Sequence, residues 1–214
     1  MTFTRTTLAA AATLCALSSV AVAEDAKPMF AFDSKNLMIR ARIINVDPDE
    51  SSKTSIGGEI TADSSFTPEL DFTYFWSDHI ATELILATSK HDMGAVRTTA
   101  GNLDLGDVWI LPPTLTLQYH FMTREDKFRP YVGAGINYTM FYNNNASPQQ
   151  STSYDNNFGY AFQAGFDYGL NDHWSINADL KKLYLSTDAK VNGTVTASVD
   201  LDPWIAGIGL GYRF

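Results

Sequence analysis

Charged and amide side chains recur at alternate positions along segments that are otherwise apolar. Such groups could pair with one another, exchange protons or bind an ion. Because acids and bases occur together, we expect one buried network that holds the fold together, with a polar plug or the floor of a ligand pocket as the functional alternative. The expected network residues are Arg40, Arg42, Glu69, Asp71, Glu83, Gln118, His120, Asn137, Gln163, Asp167, Asp179, Lys181 and Arg213.

Apolar residues replace the charged ones on the same face near several segment ends. Leu183 and Leu185 follow Asp179 and Lys181 at alternate positions, so this face changes from charged to apolar along one strand. The change predicts a lining for a small hydrophobic ligand, and ordinary packing of the strand ends is the competing interpretation. The candidate lining residues are Ile44, Val46, Ile85, Ile110, Leu183 and Leu185.

The four histidines give little basis for catalysis. A nucleophilic site needs a base beside a nucleophile and a third group that orients the base. His79, His91, His120 and His173 have no such neighbours in the sequence. The sequence also lacks G-x-S-x-G, H-E-x-x-H and phosphate-cradling glycine loops. We therefore predict neither an enzyme nor a cofactor.

The segments that carry these residues are predicted to be β-strands because apolar and polar residues alternate with a period of two. In the last strand Trp204, Ile208 and Phe214 share an apolar face, and glycines with Arg213 share the other. Aromatic residues towards both ends of the apolar face are typical of a barrel wall that crosses two lipid–water interfaces. The eight segments are 37–43, 68–76, 80–88, 111–121, 130–142, 157–170, 174–184 and 201–214.

Lys182 interrupts the apolar face of the seventh segment. We expect either a side chain that reaches the headgroup level or a bulge that shifts the strand register.

The links between the segments alternate in length. Short turns lie at 77–78, 123–127 and 171–172, whereas the long links span 47–67, 89–110, 143–156 and 187–199. The alternation predicts an all-β fold, an eight-stranded antiparallel transmembrane β-barrel with short periplasmic turns and four longer extracellular loops. A soluble β-sandwich or lipocalin-like barrel is the alternative, and it would have to bury every aromatic face in one small interior.

The N-terminus predicts export from the cytoplasm. Arg5, the apolar run 8–20 and the small residues Ala21 to Ala23 form a secretory signal over 1–23, which leaves the barrel in 24–214. The only cysteine, Cys15, lies in that signal. Removing Arg5 changes the net charge of −9 into −10, because 14 basic then face 24 acidic residues, which argues against nucleic acid as a partner.

Three segments resemble the outer membrane protein W (OmpW) family. They are DVWILPPTLTLQYHF at 107–121, FRPYVGAGINYTMF at 128–141 and LDPWIAGIGLGYRF at 201–214. The resemblance implies an eight-stranded barrel in the outer membrane of a Gram-negative bacterium. It also implies a narrow, largely apolar channel or binding pocket for the passage of small hydrophobic molecules.

The C-terminal strand and one acidic run suggest contacts with the cell envelope. Ile208, Leu210, Tyr212 and Phe214 resemble the terminal signal that the barrel-assembly machinery reads. The run at 47–50 could bind divalent ions that bridge lipopolysaccharide phosphates, but such a run is usually a solvated loop, so we predict no metal site.

The expected partners are outer-membrane lipids and lipopolysaccharide, the assembly machinery and a small hydrophobic ligand. An alternative function is a structural or interaction barrel with a plugged lumen, whose loops contact envelope components, phage, bacteriocins or host surfaces.

Overall fold

The computed structural model describes residues 33–54, 58–99, 101–145, 152–191 and 195–214. The predicted signal segment lies outside them. A single 3-10 turn, Ser34–Asn36, precedes the strands. The strands are β1 (Leu37–Asp47), β2 (Ser51–Thr54), β3 (Glu59–Ala62), β4 (Ser65–Phe75), β5 (Ile80–Ala87), β6 (Ser89–Thr98), β7 (Gly101–Leu111), β8 (Thr114–His120), β9 (Phe128–Asn145), β10 (Thr152–Tyr154), β11 (Asn157–Gly169), β12 (Trp174–Tyr184), β13 (Ser186–Val191), β14 (Val195–Asp200) and β15 (Trp204–Arg213).

Eight of these strands close into an antiparallel barrel. The hydrogen-bonded order is β11, β12, β15, β1, β4, β5, β8, β9, and β9 pairs again with β11 to complete the ring. Closure removes the unpaired sheet edges that hydrocarbon does not tolerate. The predicted eight-stranded barrel is confirmed. None of the described residues forms a helix long and apolar enough to span a bilayer.

The barrel is apolar outside and polar inside. On β15 the outward Ile208 is 69% exposed, whereas on β1 the inward Arg40 is 0% exposed. Because successive strand side chains point to opposite faces, the sequence alternation alone assigns each residue to one side of the wall. The soluble alternative is wrong, since the aromatic and aliphatic faces point away from the interior.

The long links contain strands, contrary to the prediction that they are loops. β6 and β7 form a hairpin that continues beyond the membrane-facing wall, β3 pairs with β6, and β13 pairs with β14 in a separate four-stranded sheet with β2 and β10. Their inward apolar residues, among them Met93, Leu105 and Val199, form one buried cluster with the upper ends of the barrel strands. We call this end of the barrel the loop end and the opposite one the short-turn end.

Lys182 causes no bulge. The pairing of β12 with β11 and β15 runs without a register shift through Phe162, Lys182 and Trp204. The ammonium group donates to the carbonyl of Asp202 at 2.6 Å and to the carboxylate of Asp49 at 3.1 Å. It also lies 5.1 Å from the ring centroid of Trp204. These contacts hold the charge at the loop end of the outward face, so the bulge expectation is wrong.

Candidate functional site

Arg40 lies at the centre of a polar cluster that fills the lower lumen. β1 directs its side chain inward, where the guanidinium binds Asp167 on β11 through two bonds of 2.7 and 3.0 Å. Its third nitrogen donates to Glu83 at 3.1 Å and to Thr73 at 2.5 Å. The bonds cross the barrel, because four strands lie between β1 and β11 on one side of the ring and two lie between them on the other.

Arg42 lies two residues after Arg40 on β1 and also points into the lumen, where it binds carboxylates. It donates to Asp71 at 2.6 Å and approaches Glu83 at 3.2 Å. Its Nε lies 2.8 Å from Glu69 Oε1, an ion contact without hydrogen-bond alignment. Lys181 Nζ completes this layer with bonds of 2.8 Å to Glu69 and to Asp179.

Glu83 joins the two arginines to the amide side chains. Its Oε1 accepts from both guanidinium groups, whereas Oε2 accepts from Gln118 at 2.8 Å and from Gln163 at 2.9 Å. Gln118 in turn bonds to the ring Nε2 of His120 at 3.0 Å. Every one of these side chains is buried.

The cluster has more carboxylates than cations. Arg40, Arg42 and Lys181 face the five acids Glu69, Asp71, Glu83, Asp167 and Asp179, an excess of two negative charges when all are ionised. Such a buried network is held by its full set of partners, and removing one member leaves an uncompensated charge. A cluster of this kind occupies the lumen rather than lining an open aqueous pore.

Two predicted members stand apart from the bonded network. Asn137 bonds to Thr139 at 3.3 Å, one layer nearer the loop end. Arg213 is buried near the short-turn end, where its guanidinium carbon lies 4.0 Å from the ring centroid of Phe75 and forms no ion pair with the described acids. The expectation that Arg213 pairs within the network is therefore wrong, because β15 ends too near the lumen mouth for its side chain to reach those carboxylates.

Sequence reasoning missed Tyr131 and Asn177. The hydroxyl of Tyr131 donates to Asp179 at 2.8 Å and accepts from Asn177 at 3.1 Å. Asn177 Oδ1 accepts from Arg42 at 2.9 Å. Both positions are inward in the alternation of their strands, so that pattern could have found them.

An apolar cavity lies directly above the cluster, towards the loop end. Its volume is about 50 Å³. All six residues expected to line a hydrophobic site contribute to its wall, with Pro48, Pro112, Leu201, Pro203 and Ile205 among their neighbours. The structure therefore places residues from β1, β5, β7, β12 and β15, and from the links beside them, around one space. Whether a ligand binds there stays a prediction.

The cavity has a charged floor and one polar wall. Glu69 and Lys181, which bind each other, form the floor, and Ser89 and His91 on β6 form the polar wall. His91 Nδ1 lies 2.7 Å from the carbonyl of Asp63 and Nε2 lies 2.8 Å from Ser89 Oγ. Burial lowers the pKa of His91 below its ordinary value, which favours the neutral ring.

His91 was expected in a loop, and its place in the wall corrects that expectation. The signal was present, because the inward positions of β5 continue with unbroken period two through Ser89, His91 and Met93. The other histidines hold turns or join the cluster: Nδ1 of His79 bonds to the carbonyl of His120, and Nδ1 of His173 bonds to the carbonyl of Arg213, each at 2.8 Å.

The acidic run at 47–50 serves the loop-end structure. Asp49 binds Lys182, and Glu50 accepts from the backbone N–H of Ala62 at 3.1 Å. Within the described ranges no group of three His, Cys, Asp or Glu side chains is arranged to hold a metal ion.

Known proteins share this sequence and fold. The chain is 42% identical over 183 residues to the protein named uncharacterized outer-membrane protein y4mB of Sinorhizobium fredii, which covers 82% of this chain and 79% of that protein. It is 33% identical to outer membrane protein W of Vibrio cholerae, covering 94% and 99%. The crystal structure of outer membrane protein OprG from Pseudomonas aeruginosa matches with a TM-score of 0.78 at 32% identity, covering 83% and 95%.

The closed, outwardly apolar barrel and these relatives define an outer-membrane β-barrel protein. The OmpW family profile matches residues 33–214. The chain belongs to the OmpW family, as the three resembling segments predicted. The short-turn end is therefore the periplasmic end, and the loop end is extracellular.

Proposed function

We propose that the chain binds small hydrophobic molecules in the apolar cavity at the extracellular end of its barrel, as a step in their passage across the outer membrane. The observation that carries this proposal is the cavity itself, in which Leu183, Leu185 and Ile85 converge above the Glu69–Lys181 pair. Burying ~200 Å² of apolar ligand surface there contributes about 5 kcal/mol before the costs of association.

The size and floor of the cavity define what passage requires. One water molecule needs roughly 10–15 Å³ of cavity volume, so the 50 Å³ cavity holds only a few waters. A larger ligand must therefore displace side chains of the wall. Straight movement along the barrel axis would break the buried ion pairs below, which is costly. The proposal is therefore a narrow binding pocket, and a wide water-filled porin is not favoured.

Binding can be tested with N-phenyl-1-naphthylamine, whose fluorescence rises in apolar surroundings, added to the refolded barrel in lipid nanodiscs. Leu185→Phe adds bulk to the cavity wall and should weaken probe binding about tenfold, by removing contact area and space. Val199→Ile is the matched control, because Val199 belongs to the same buried cluster but does not line the cavity. Equal binding by Leu185→Phe and the unmodified chain would contradict the proposal.

A structural barrel with a plugged lumen is the second candidate, favoured by the complete pairing of Arg40, Glu83 and Asp167. Single-channel recordings with Leu185→Asp distinguish the two. A change of conductance supports a passage that includes the cavity. If the barrel shows no conductance and binds no probe under any condition, the plugged lumen is favoured. The function of the protein would then reside in the extracellular links.

A further inference from the structure

A recess of about 580 Å³ opens at the periplasmic end of the lumen. It lies at the opposite end of the barrel from the apolar cavity and is independent of it. The turn between β8 and β9, the turn between β11 and β12 and the end of β15 enclose it. We call it the periplasmic recess, and its charged lining residues are Arg124, Glu125, Asp126, Lys127, Arg129, Asp172 and Arg213.

Arg213 is an unpartnered buried cation in this recess. Its side chain is buried, with the residue only 8% exposed, and its Nε has no hydrogen-bond partner. The ring of Phe75 covers one face of the guanidinium at 4.0 Å. Asp78 attracts the guanidinium without forming a salt bridge, whereas the charges of Arg124 and Arg129 repel it. An anion at the edge of the planar guanidinium would therefore relieve a buried charge that has no direct partner.

The other three cations of the recess are also free of ion pairs among the described residues. Arg129 donates to the backbone carbonyl of Asp126 at 3.0 Å and lies opposite Asp167 on β11, but it forms a salt bridge with neither carboxylate. The carboxylate of Asp126 already accepts from the N–H and the hydroxyl of Thr123. Four cations thus face three acids, one of which is engaged in its own turn, in a chain whose net charge is −9.

We propose that the periplasmic recess binds a phosphate group, held by Arg213 from within the lumen and by Arg124, Lys127 and Arg129 at its rim. Guanidinium groups present paired N–H donors that match the oxygens of a tetrahedral phosphate, and such bonds are charge-assisted. Two sources have this chemistry, namely free inorganic phosphate of the periplasm and the headgroup of a phospholipid in the adjoining leaflet.

Arginine Nε–H resonances of the barrel, refolded in dodecyl maltoside, test the proposal. Inorganic phosphate should shift the Arg213 signal saturably, whereas chloride at the same ionic strength should not. Phosphatidylglycerol added to the micelles forms the second arm. If the lipid saturates the shift at a lower concentration than inorganic phosphate does, the natural ligand is the lipid headgroup. If only inorganic phosphate saturates the shift, the natural ligand is the free ion. Either result supports the site.

Variants make the assignment specific. Arg213→Gln and, separately, Arg129→Gln should each weaken phosphate binding about tenfold, the usual consequence of losing one charge-assisted bond. Arg97→Gln removes an exposed arginine at the extracellular end, where it pairs with Glu59, and should leave binding unchanged. Because β15 also carries the assembly signal, each variant is refolded from inclusion bodies and checked for heat-modifiable mobility. The proposal is overturned if neither probe saturates, or if both recess variants bind as tightly as Arg97→Gln.

Discussion

Replacing Glu83 by glutamine tests whether hydrogen-bond geometry or net charge holds the lumen cluster together. Glu83 uses both oxygens as acceptors: one faces Arg40 and Arg42, the other faces Gln118 and Gln163. Glutamine has the same shape but turns one oxygen into an NH2 donor. In either orientation that donor would oppose two existing donors.

The magnitude follows from those four bonds. Hydrogen bonds to charged groups contribute roughly 1.5–3 kcal/mol each, so losing two predicts a decrease of about 3–6 kcal/mol in the free energy of unfolding. Net charge alone predicts the opposite, because the cluster carries five carboxylates against three cations and loses one negative charge. The two explanations therefore differ in sign.

Glu69→Gln is the matched control. Glu69 is also buried, at 4% exposure against 0% for Glu83. Its contacts with Arg42 and Lys181 both involve Oε1, and no hydrogen bond or ion pair within the described ranges reaches Oε2. The amide nitrogen can therefore take the free position, and we expect a loss of only about 1–2 kcal/mol.

Reversible urea unfolding from lipid vesicles, followed by tryptophan fluorescence, measures both values. The reasoning is refuted if Glu83→Gln lies within about 1 kcal/mol of the unmodified protein, a difference too small for two lost charge-assisted bonds, or if the two variants are equally destabilised.

Two further predictions concern the two ends of the barrel. Deleting Phe214 should impair assembly in the outer membrane, because its exposed ring ends the outward row that includes Ile208 and Leu210; normal amounts of heat-modifiable barrel after the deletion would contradict this. At the extracellular end, the pKa of His91 is lower in the folded protein than in the unfolded chain. As the pH falls below about 6.5, the unfolded chain therefore binds a proton before the folded protein does, and the stability that the neutral ring confers decreases. Hydrogen exchange in β6, corrected for its intrinsic rate, should therefore quicken between pH 7 and pH 5 in the unmodified protein and not in His91→Gln; equal acceleration in both would rule out His91 as the cause.

The sequence by itself determined which side of the wall each barrel residue faces. Two-residue periodicity placed Arg40 and Arg42 inward and Ile43 outward without any knowledge of their partners, because the pleat of a strand enforces that alternation. The same periodicity gathered Leu183 with Leu185, and the order of short and long links predicted the eight-stranded ring. His91 lies in a polar segment that its composition predicted to be a loop, although the alternation of inward and outward residues continues through it.

Only the tertiary structure decided which inward residues meet. Arg40 and Asp167 lie 127 positions apart, and their bond depends on the stagger of strands around the whole ring. A shift of two residues in that stagger would change which residues meet across the lumen, while each residue kept its side of the wall. The same holds for Arg213. The alternation of its strand predicts that the side chain points inward, but it does not predict that the side chain lies apart from the ion-pair cluster. Direction is local, set by each strand's pleat, whereas partnership across the lumen is set by closure of the barrel.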